Sequence, residues 1–144
     1  MSQVVNVTPP ALHKGQKEVL KSLEDFRYVI VAAGRRWGKT SLSIVAAYDK
    51  AFKGEKVWII FPVYPQAMDS FRTIKSLARQ LPEDYVRIRE VEKRIELMNG
   101  GSIQIKSADK PERLRGAGGI SLVVFDEAAY QSKETWETVR PILT

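Results

Sequence analysis

Residues 33–40 read Ala-Gly-Arg-Arg-Trp-Gly-Lys-Thr and lie between an apolar run and a segment with helical spacing. Strand, glycine-containing loop, Lys-Thr and helix is the order of a phosphate-binding P-loop. Gly38 would give backbone N–H groups access to phosphate oxygens, Lys39 would reach the β- and γ-phosphates, and Thr40 would hold Mg²⁺. The consensus has glycine at position 33, where this chain has Ala33, so the match is incomplete. A glycine turn without a ligand is the alternative, but the flanking elements favour a nucleotide site.

A second chemical group, Asp126-Glu127, follows an apolar run at 122–125. Ligands bind outside the carboxyl ends of strands in open α/β sheets, so both carboxylates would face the nucleotide. Asp126 could hold Mg²⁺, usually through water, and Glu127 could orient and deprotonate the attacking water. Alone, the pair could equally be a helix cap or two solvated side chains. Together with the P-loop it forms a Walker B motif, and the Asp-Glu pair favours ATP hydrolysis over a GTPase switch.

Other polar residues are candidates for supporting roles. The carboxamide of Gln16, on the helix before the P-loop, could match the edge of adenine, although a solvated helical Gln is the competing interpretation. Arg35 and Arg36 lie in the phosphate loop, so at least one is expected near the nucleotide. Arg113 and Arg115 precede the Walker B strand and could serve as an arginine finger, a nucleic-acid clamp or surface charge. His13 is predicted to be a surface residue.

The elements that must position these groups follow from hydrophobic periodicity. Helices are predicted over 12–23, 39–52, 65–80 and 133–139, and buried strands over 28–33, 56–61 and 121–125. Residues 94–98 and 102–106 alternate around Asn99-Gly100-Gly101, which predicts a β-hairpin, and 86–91 is a candidate for another strand. Helices alternating with continuous apolar strands predict an α/β fold, with a mostly parallel sheet covered on both faces and an inserted hairpin.

Composition restricts the class of protein further. The chain has 144 residues, 44% of them hydrophobic, which fits one domain with a core. Without cysteine it has neither disulfides nor Cys-based zinc sites, and without a 20-residue apolar run or a signal-peptide pattern it is expected to be intracellular and not membrane-bound. The net charge is +6, and residues 13–39 and 72–115 each carry +4, which suits a polyanionic partner.

Together these motifs resemble the ATPase domain of large terminase subunits, the DNA-packaging motors of tailed bacteriophages. The P-loop form over 34–40 is the most specific part of the resemblance, because terminases commonly have an early arginine in this loop and often lack its first glycine. Other motifs occur in the same order as in that family: Asn99-Gly100-Gly101-Ser102, Ser107-Ala108-Asp109, Leu114-Arg115-Gly116, Asp126-Glu127-Ala128-Ala129, Trp136 and Arg140-Pro141.

The resemblance implies roles for single residues. It implies a nucleotide site formed by Gln16, Gly34, Arg35, Arg36, Trp37, Gly38, Lys39 and Thr40, with Gln16 in contact with adenine. It implies Mg²⁺ ligation by Thr40 and Asp126. It implies catalysis by Glu127 as the carboxylate that activates water, by Arg35 at the γ-phosphate and by Arg115 as a finger supplied to the next subunit.

The resemblance also implies a setting. An ATP-hydrolysing motor of this kind translocates double-stranded DNA into a procapsid as a homo-oligomeric ring on a portal protein, with a small terminase subunit as a candidate partner. It works in the host cytoplasm and is not expected in the mature virion. Terminases continue into a further strand and a nuclease domain, so residues 1–144 are expected to be a C-terminally truncated ATPase domain without nuclease activity. The alternatives are a helicase-like DNA translocase and a nucleotide-binding module without turnover.

Overall fold

A computed structural model describes residues 11–33, 37–109, 114 and 118–143 of the chain. The helices are α1 (Lys14–Asp25), α2 (Lys39–Phe52), α3 (Tyr64–Ala78) and α4 (Lys133–Val139), with short 3₁₀ turns at Ala128–Tyr130 and Arg140–Ile142. The strands are β1 (Lys56–Phe61), β2 (Val86–Arg89), β3 (Arg94–Leu97), β4 (Ser102–Ser107) and β5 (Leu122–Phe125). The four predicted helices are therefore confirmed, within one or two residues at each end.

The five strands form one sheet in the order β2-β3-β4-β1-β5. Strand β1 pairs in parallel with β4 on one side and with β5 on the other, while β3 is antiparallel to both β2 and β4. Four strands consequently share one direction and β3 alone runs the other way. The prediction of a mostly parallel sheet with an inserted hairpin is confirmed, and the candidate strand at 86–91 exists as β2.

The hairpin between β3 and β4 is fixed by its turn. Gly100 has a φ of +93°, a left-handed conformation that glycine adopts without steric cost. The Asn99 side chain accepts from Gly101 N and donates to the carbonyl oxygens of Ala51 and Phe52 at the end of α2. A Cβ on Gly101 would lie 2.0 Å from Ala51 O, so the hairpin approaches α2 more closely than any other residue type would allow.

Helices α2 and α3 cover one face of the sheet, and α4 with the 3₁₀ turn after it covers part of the other. On one face, α2 and α3 pack on the inward side chains of β1, β3 and β4, forming a buried cluster that includes Ile44, Tyr48, Phe71, Ile74, Val57, Ile59, Ile103 and Ile105. Tyr48 Oη donates to Ile74 O at 2.6 Å, which joins α2 to α3, and burial raises the pKa of Tyr48. On the other face, a second cluster contains Trp58, Ile60, Leu114, Ile120, Val139 and Ile142.

The segment before the P-loop departs from prediction. Residues 28–33 were expected to form a buried strand, but they belong to no strand ladder among the described residues, and Ile30 is 92% exposed. Contacts at both of its ends join the segment to the rest of the fold: the Tyr28 ring lies 5.8 Å from that of Trp136 on α4, and Ala33 O accepts from Lys39 Nζ. A cleft of about 470 Å³, lined by Arg27, Glu137, Arg140, Pro141 and Leu143, opens beside it. Strand identity requires a neighbour that satisfies the backbone polar groups, and apolar composition alone does not supply one.

Candidate nucleotide site

The end of the P-loop is shaped by one glycine and one helix terminus. Gly38 has a φ of +91°, and a Cβ there would lie 2.3 Å from Gln16 Nε2, so both backbone conformation and space require glycine. Helix α2 begins at Lys39, which places the positive end of its dipole at the loop. Lys39 Nζ donates to Ala33 O at 2.9 Å, which joins the start of α2 to the segment before the loop, and Thr40 is exposed at the helix start.

Helix α1 supports the loop from behind. Gln16 is 3% exposed; its Oε1 accepts from His13 N and its Nε2 donates to Gly38 O, each at 2.8 Å. Both ends of the Gln16 carboxamide are therefore already hydrogen-bonded within the protein. The contact of Gln16 with adenine stays a prediction.

His13 is on the surface, as predicted, but its ring has a role that the sequence did not indicate. Its Nε2 is 2.8 Å from Trp37 O, and the ring stands edge-on to the Trp37 ring. A carbonyl oxygen can only accept, so Nε2 must carry the proton, which leaves Nδ1 free to accept from Gln16 N and cap α1. The capping-box spacing from His13 to Gln16 was the available signal, but histidine is an uncommon residue at that position.

The carboxylate pair lies at the carboxyl end of β5, on the same side of the sheet as the loop. Asp126 N donates to Ile60 O at 2.9 Å, which continues the β1–β5 ladder. Burial raises the pKa of Asp126, the negative charge of Glu127 adds to this rise, and the positive charge of Lys39 opposes it. Lys39 is therefore near enough to Asp126 for its charge to affect the pKa of that carboxyl, although the bond that its Nζ makes is to Ala33 O.

Glu127 has an unusual backbone. Its φ and ψ are +52° and +46°, the left-handed region, which costs a residue with a Cβ roughly 1–2 kcal/mol. The side chain is exposed, and the chain continues into the 3₁₀ turn Ala128–Tyr130. Such strain is found where surrounding contacts hold it, often at functional sites.

Several predicted site residues lie outside the described part of the chain. These are Gly34, Arg35 and Arg36 of the P-loop, and Arg113 and Arg115 before β5. Their roles stay predictions.

The sheet also carries a basic face. Strand alternation places the polar side chains of β1–β4 opposite α2 and α3; five are basic (Lys56, Arg87, Arg89, Arg94, Lys106), and among the charged residues of these strands only Glu96 is acidic. A groove of about 530 Å³ crosses this face. The excess of basic residues over 72–115 was the signal in the sequence, but only the register shows that they share a face.

Contacts within the basic face change the pKa of two of its residues, Glu96 and Lys106. Glu96 accepts from Arg94 Nε at 2.8 Å and lies 3.3 Å from Arg89 Nε. Burial tends to raise the pKa of Glu96, but the two arginines outweigh it and lower the pKa. Lys106 Nζ lies 4.4 Å from the centre of the Trp58 ring, and burial, with the charge of Arg94, lowers the pKa of Lys106.

Comparison with known proteins gives the site its context. No family model matches the chain. The large terminase subunit of Thermus virus P23-45 is 29% identical over 136 residues, and that of Escherichia phage T5 is 28% identical over 117 residues. The solved large terminase ATPase domain of Thermus phage P74-26 superposes with a TM-score of 0.73 at 27% identity, covering 92% of this chain. The chain resembles phage large terminase ATPase domains in both sequence and fold.

The likeness to terminases has a defined extent. The matches cover about 80% of this chain but only 28% of the P23-45 subunit and 26% of the T5 subunit. The chain also spans 60% of the P74-26 ATPase domain structure. Among the described residues, no helix combines the length and apolar character needed to cross a membrane.

Proposed function

We propose that this chain is the ATP-hydrolysing motor domain of a viral DNA-packaging terminase, which couples ATP hydrolysis to translocation of double-stranded DNA into a procapsid. The observation that carries the proposal is the placement of two groups: Lys39 at the start of α2, and Asp126 where the β1–β5 ladder ends, near enough for the charge of Lys39 to oppose the rise in the pKa of Asp126. A phosphate-binding lysine and a metal-binding carboxylate at the same edge of a parallel sheet are the two halves of a P-loop ATPase site.

The donor groups fit Mg²⁺ and ATP. A left-handed Gly38 before the N-terminus of α2 leaves backbone N–H groups for phosphate oxygens. The Thr40 hydroxyl and the Asp126 carboxylate are oxygen ligands of the kind that Mg²⁺ prefers. The bound metal would neutralise charge on the phosphates. Because Asp126 is ionised less readily than an ordinary aspartate, Lys39 and the metal would together hold it in its charged form.

In the proposed hydrolysis of ATP, each site residue has a separate role. Lys39 neutralises the β- and γ-phosphates and is free to exchange its bond with Ala33 O for phosphate oxygens. Glu127, exposed beside Asp126, accepts the proton of the attacking water. Arg35 at the γ-phosphate and Arg115 from a neighbouring subunit complete the proposal as stabilisers of transition-state charge.

The basic face supports a polyanionic partner. Its arginines and lysines lie on exposed sheet strands rather than in one flexible tail, and they would contact DNA phosphates without reading sequence. We assign double-stranded DNA as that partner. The proposed assembly is a homo-oligomeric ring on a portal protein in the host cytoplasm, with a small terminase subunit as a further partner.

The test separates binding from turnover. Lys39→Ala should weaken Mg²⁺-ATP binding by roughly 10- to 100-fold, because it removes a charge-assisted contact. Glu127→Gln should preserve binding and lower hydrolysis by roughly 10²- to 10⁴-fold, because a carboxamide cannot take the proton. Lys53→Ala is the matched control, since Lys53 is the C-cap of the same helix, at the end away from the P-loop, and forms an ion pair with exposed Asp49. Equal ATP affinity of Lys39→Ala and wild type would refute the P-loop assignment.

One observation favours a second candidate, a nucleotide-binding module without turnover. The segment at 28–33 that leads into the P-loop pairs with no strand in the described part of the chain, so a non-strand segment precedes the loop. Poor anchoring would impair the positioning that phosphoryl transfer requires more than it would impair binding. Purified chain that binds ATP but shows no DNA-stimulated hydrolysis would support this candidate over the motor.

A further inference from the structure

The side chain of Gln131 joins two strands at the candidate site. Its Nε2 donates to Ile60 O at 2.9 Å and to Asp126 O at 2.6 Å. Ile60 O also accepts Asp126 N, so one carboxamide closes the corner where the β1–β5 ladder ends. Gln131 follows the 3₁₀ turn, and its bond back to Asp126 makes residues 126–131 a closed loop.

The orientation of this carboxamide is fixed by chemistry. Both partners are carbonyl oxygens, so only the NH₂ group can face them. Gln131 Oε1 is consequently buried, with no hydrogen-bond partner in the described part of the chain. An unpaired buried acceptor is costly, which indicates that the two donated bonds hold the side chain in place.

The closed loop contains the strained residue. Glu127 is left-handed, Tyr130 N donates to Glu127 O, and Gln131 N donates to Ala128 O. We infer that Gln131 is a positioning residue that holds Glu127 in its left-handed conformation and so aims the Glu127 carboxylate at the nucleotide. The inference rests on the proposed role of Glu127 in hydrolysis, but the turn itself can be tested without any activity.

The test is a thermodynamic cycle on the full chain. Glu127→Asn and Glu127→Gln both remove the charge, but only asparagine is well tolerated in the left-handed region. With Gln131 present, the folding constant of Glu127→Asn should exceed that of Glu127→Gln by roughly three- to tenfold. In a Gln131→Leu background, which keeps the bulk and removes the donors, the ratio should fall toward one because the turn can relax. Gln131→Ala provides the same comparison if the leucine variant does not fold.

Asn99 is the matched control. It also donates a side-chain amide to two backbone carbonyl oxygens, but it does so at the opposite end of the sheet. Asn99→Ala should lower stability while leaving the Asn-to-Gln ratio at position 127 unchanged, since distant sites act additively. An unchanged ratio in both Gln131 variants would overturn the inference.

Hydrolysis provides the second measurement. In the assembled motor, Gln131→Leu should lower kcat by roughly 10- to 100-fold with Mg²⁺-ATP affinity unchanged, whereas Asn99→Ala should change neither. Wild-type kcat in Gln131→Leu, with Glu127→Gln inactive, would also overturn the inference. Wild-type hydrolysis by Glu127→Gln would instead refute the proposed role of Glu127 in hydrolysis, and the folding ratio would still decide whether Gln131 holds the turn.

Discussion

Replacing Gln16 by methionine separates a structural role from nucleotide recognition. Methionine keeps the length of the side chain but loses both the bond to Gly38 O and the bond from His13 N. Each bond is worth about 1 kcal/mol. Gly38 O retains its partner Leu42 N, and His13 is exposed enough for water to replace the lost acceptor. No orphaned group is therefore added to the cost.

The predicted loss is about 2 kcal/mol of unfolding free energy, which corresponds to a fall in Tm of about 6 °C for a domain of this size. Thermal unfolding without nucleotide measures it. Gln66→Met is the matched control, because Gln66 occupies the same third position of a helix, α3, but is exposed and its helix has no side-chain cap. Its Tm should stay within about 2 °C of wild type.

The same variant tests the predicted adenine contact. If Gln16 only supports the P-loop, Gln16→Met should weaken ATP and GTP binding to the same degree. If Gln16 also reads the base, the ratio of the two affinities should move toward one. A Gln16→Met protein with wild-type Tm and an altered ATP-to-GTP ratio would refute the structural argument and support the adenine contact alone.

Other predictions follow from the charges. Because the folded pKa of Asp126 is raised, its contribution to stability is full below its unfolded pKa of about 3.9 and is lost as pH rises through the folded value. Asp126→Asn should therefore raise Tm at pH 7 without metal or nucleotide, and an equal Tm would contradict the raised pKa. Glu96→Gln should tighten DNA binding and steepen its log–log salt slope by about 0.9, since it adds one net positive charge beside Arg89 and Arg94, whereas Asp69→Asn on the opposite face should not. Arg115→Ala should spare ATP binding by the isolated chain and lower hydrolysis in the ring by about 10³- to 10⁵-fold. Mixing it with Glu127→Gln should restore partial activity, and no restoration in any mixture would exclude action in trans.

Most of the secondary structure could be predicted because it depends on local pattern. Helix α3 follows from apolar spacing after Pro65, which suits the first turn of a helix, and the hairpin follows from alternation around Asn99 and Gly100. The segment at 28–33 has equally strong apolar character, yet it lies outside the ladders. Composition predicts that a segment can be a strand, but the presence of a neighbouring strand decides whether it is one.

The sequence by itself determined the chemistry of the candidate site. The order Gly38-Lys39-Thr40 after an apolar run, and Asp126-Glu127 after another, predict phosphate and metal ligands because backbone geometry fixes where adjacent residues point.

Only the tertiary structure decided how those ligands are held. The packing of α2 on β1 and β5 brought the charge of Lys39 near Asp126, helix α1 placed Gln16 behind the P-loop, and Gln131 closed the turn around Glu127. These contacts join residues far apart in sequence or depend on an unusual backbone angle. Packing and hydrogen bonding across the whole fold determine these contacts, and neither can be predicted from a local pattern of residue types.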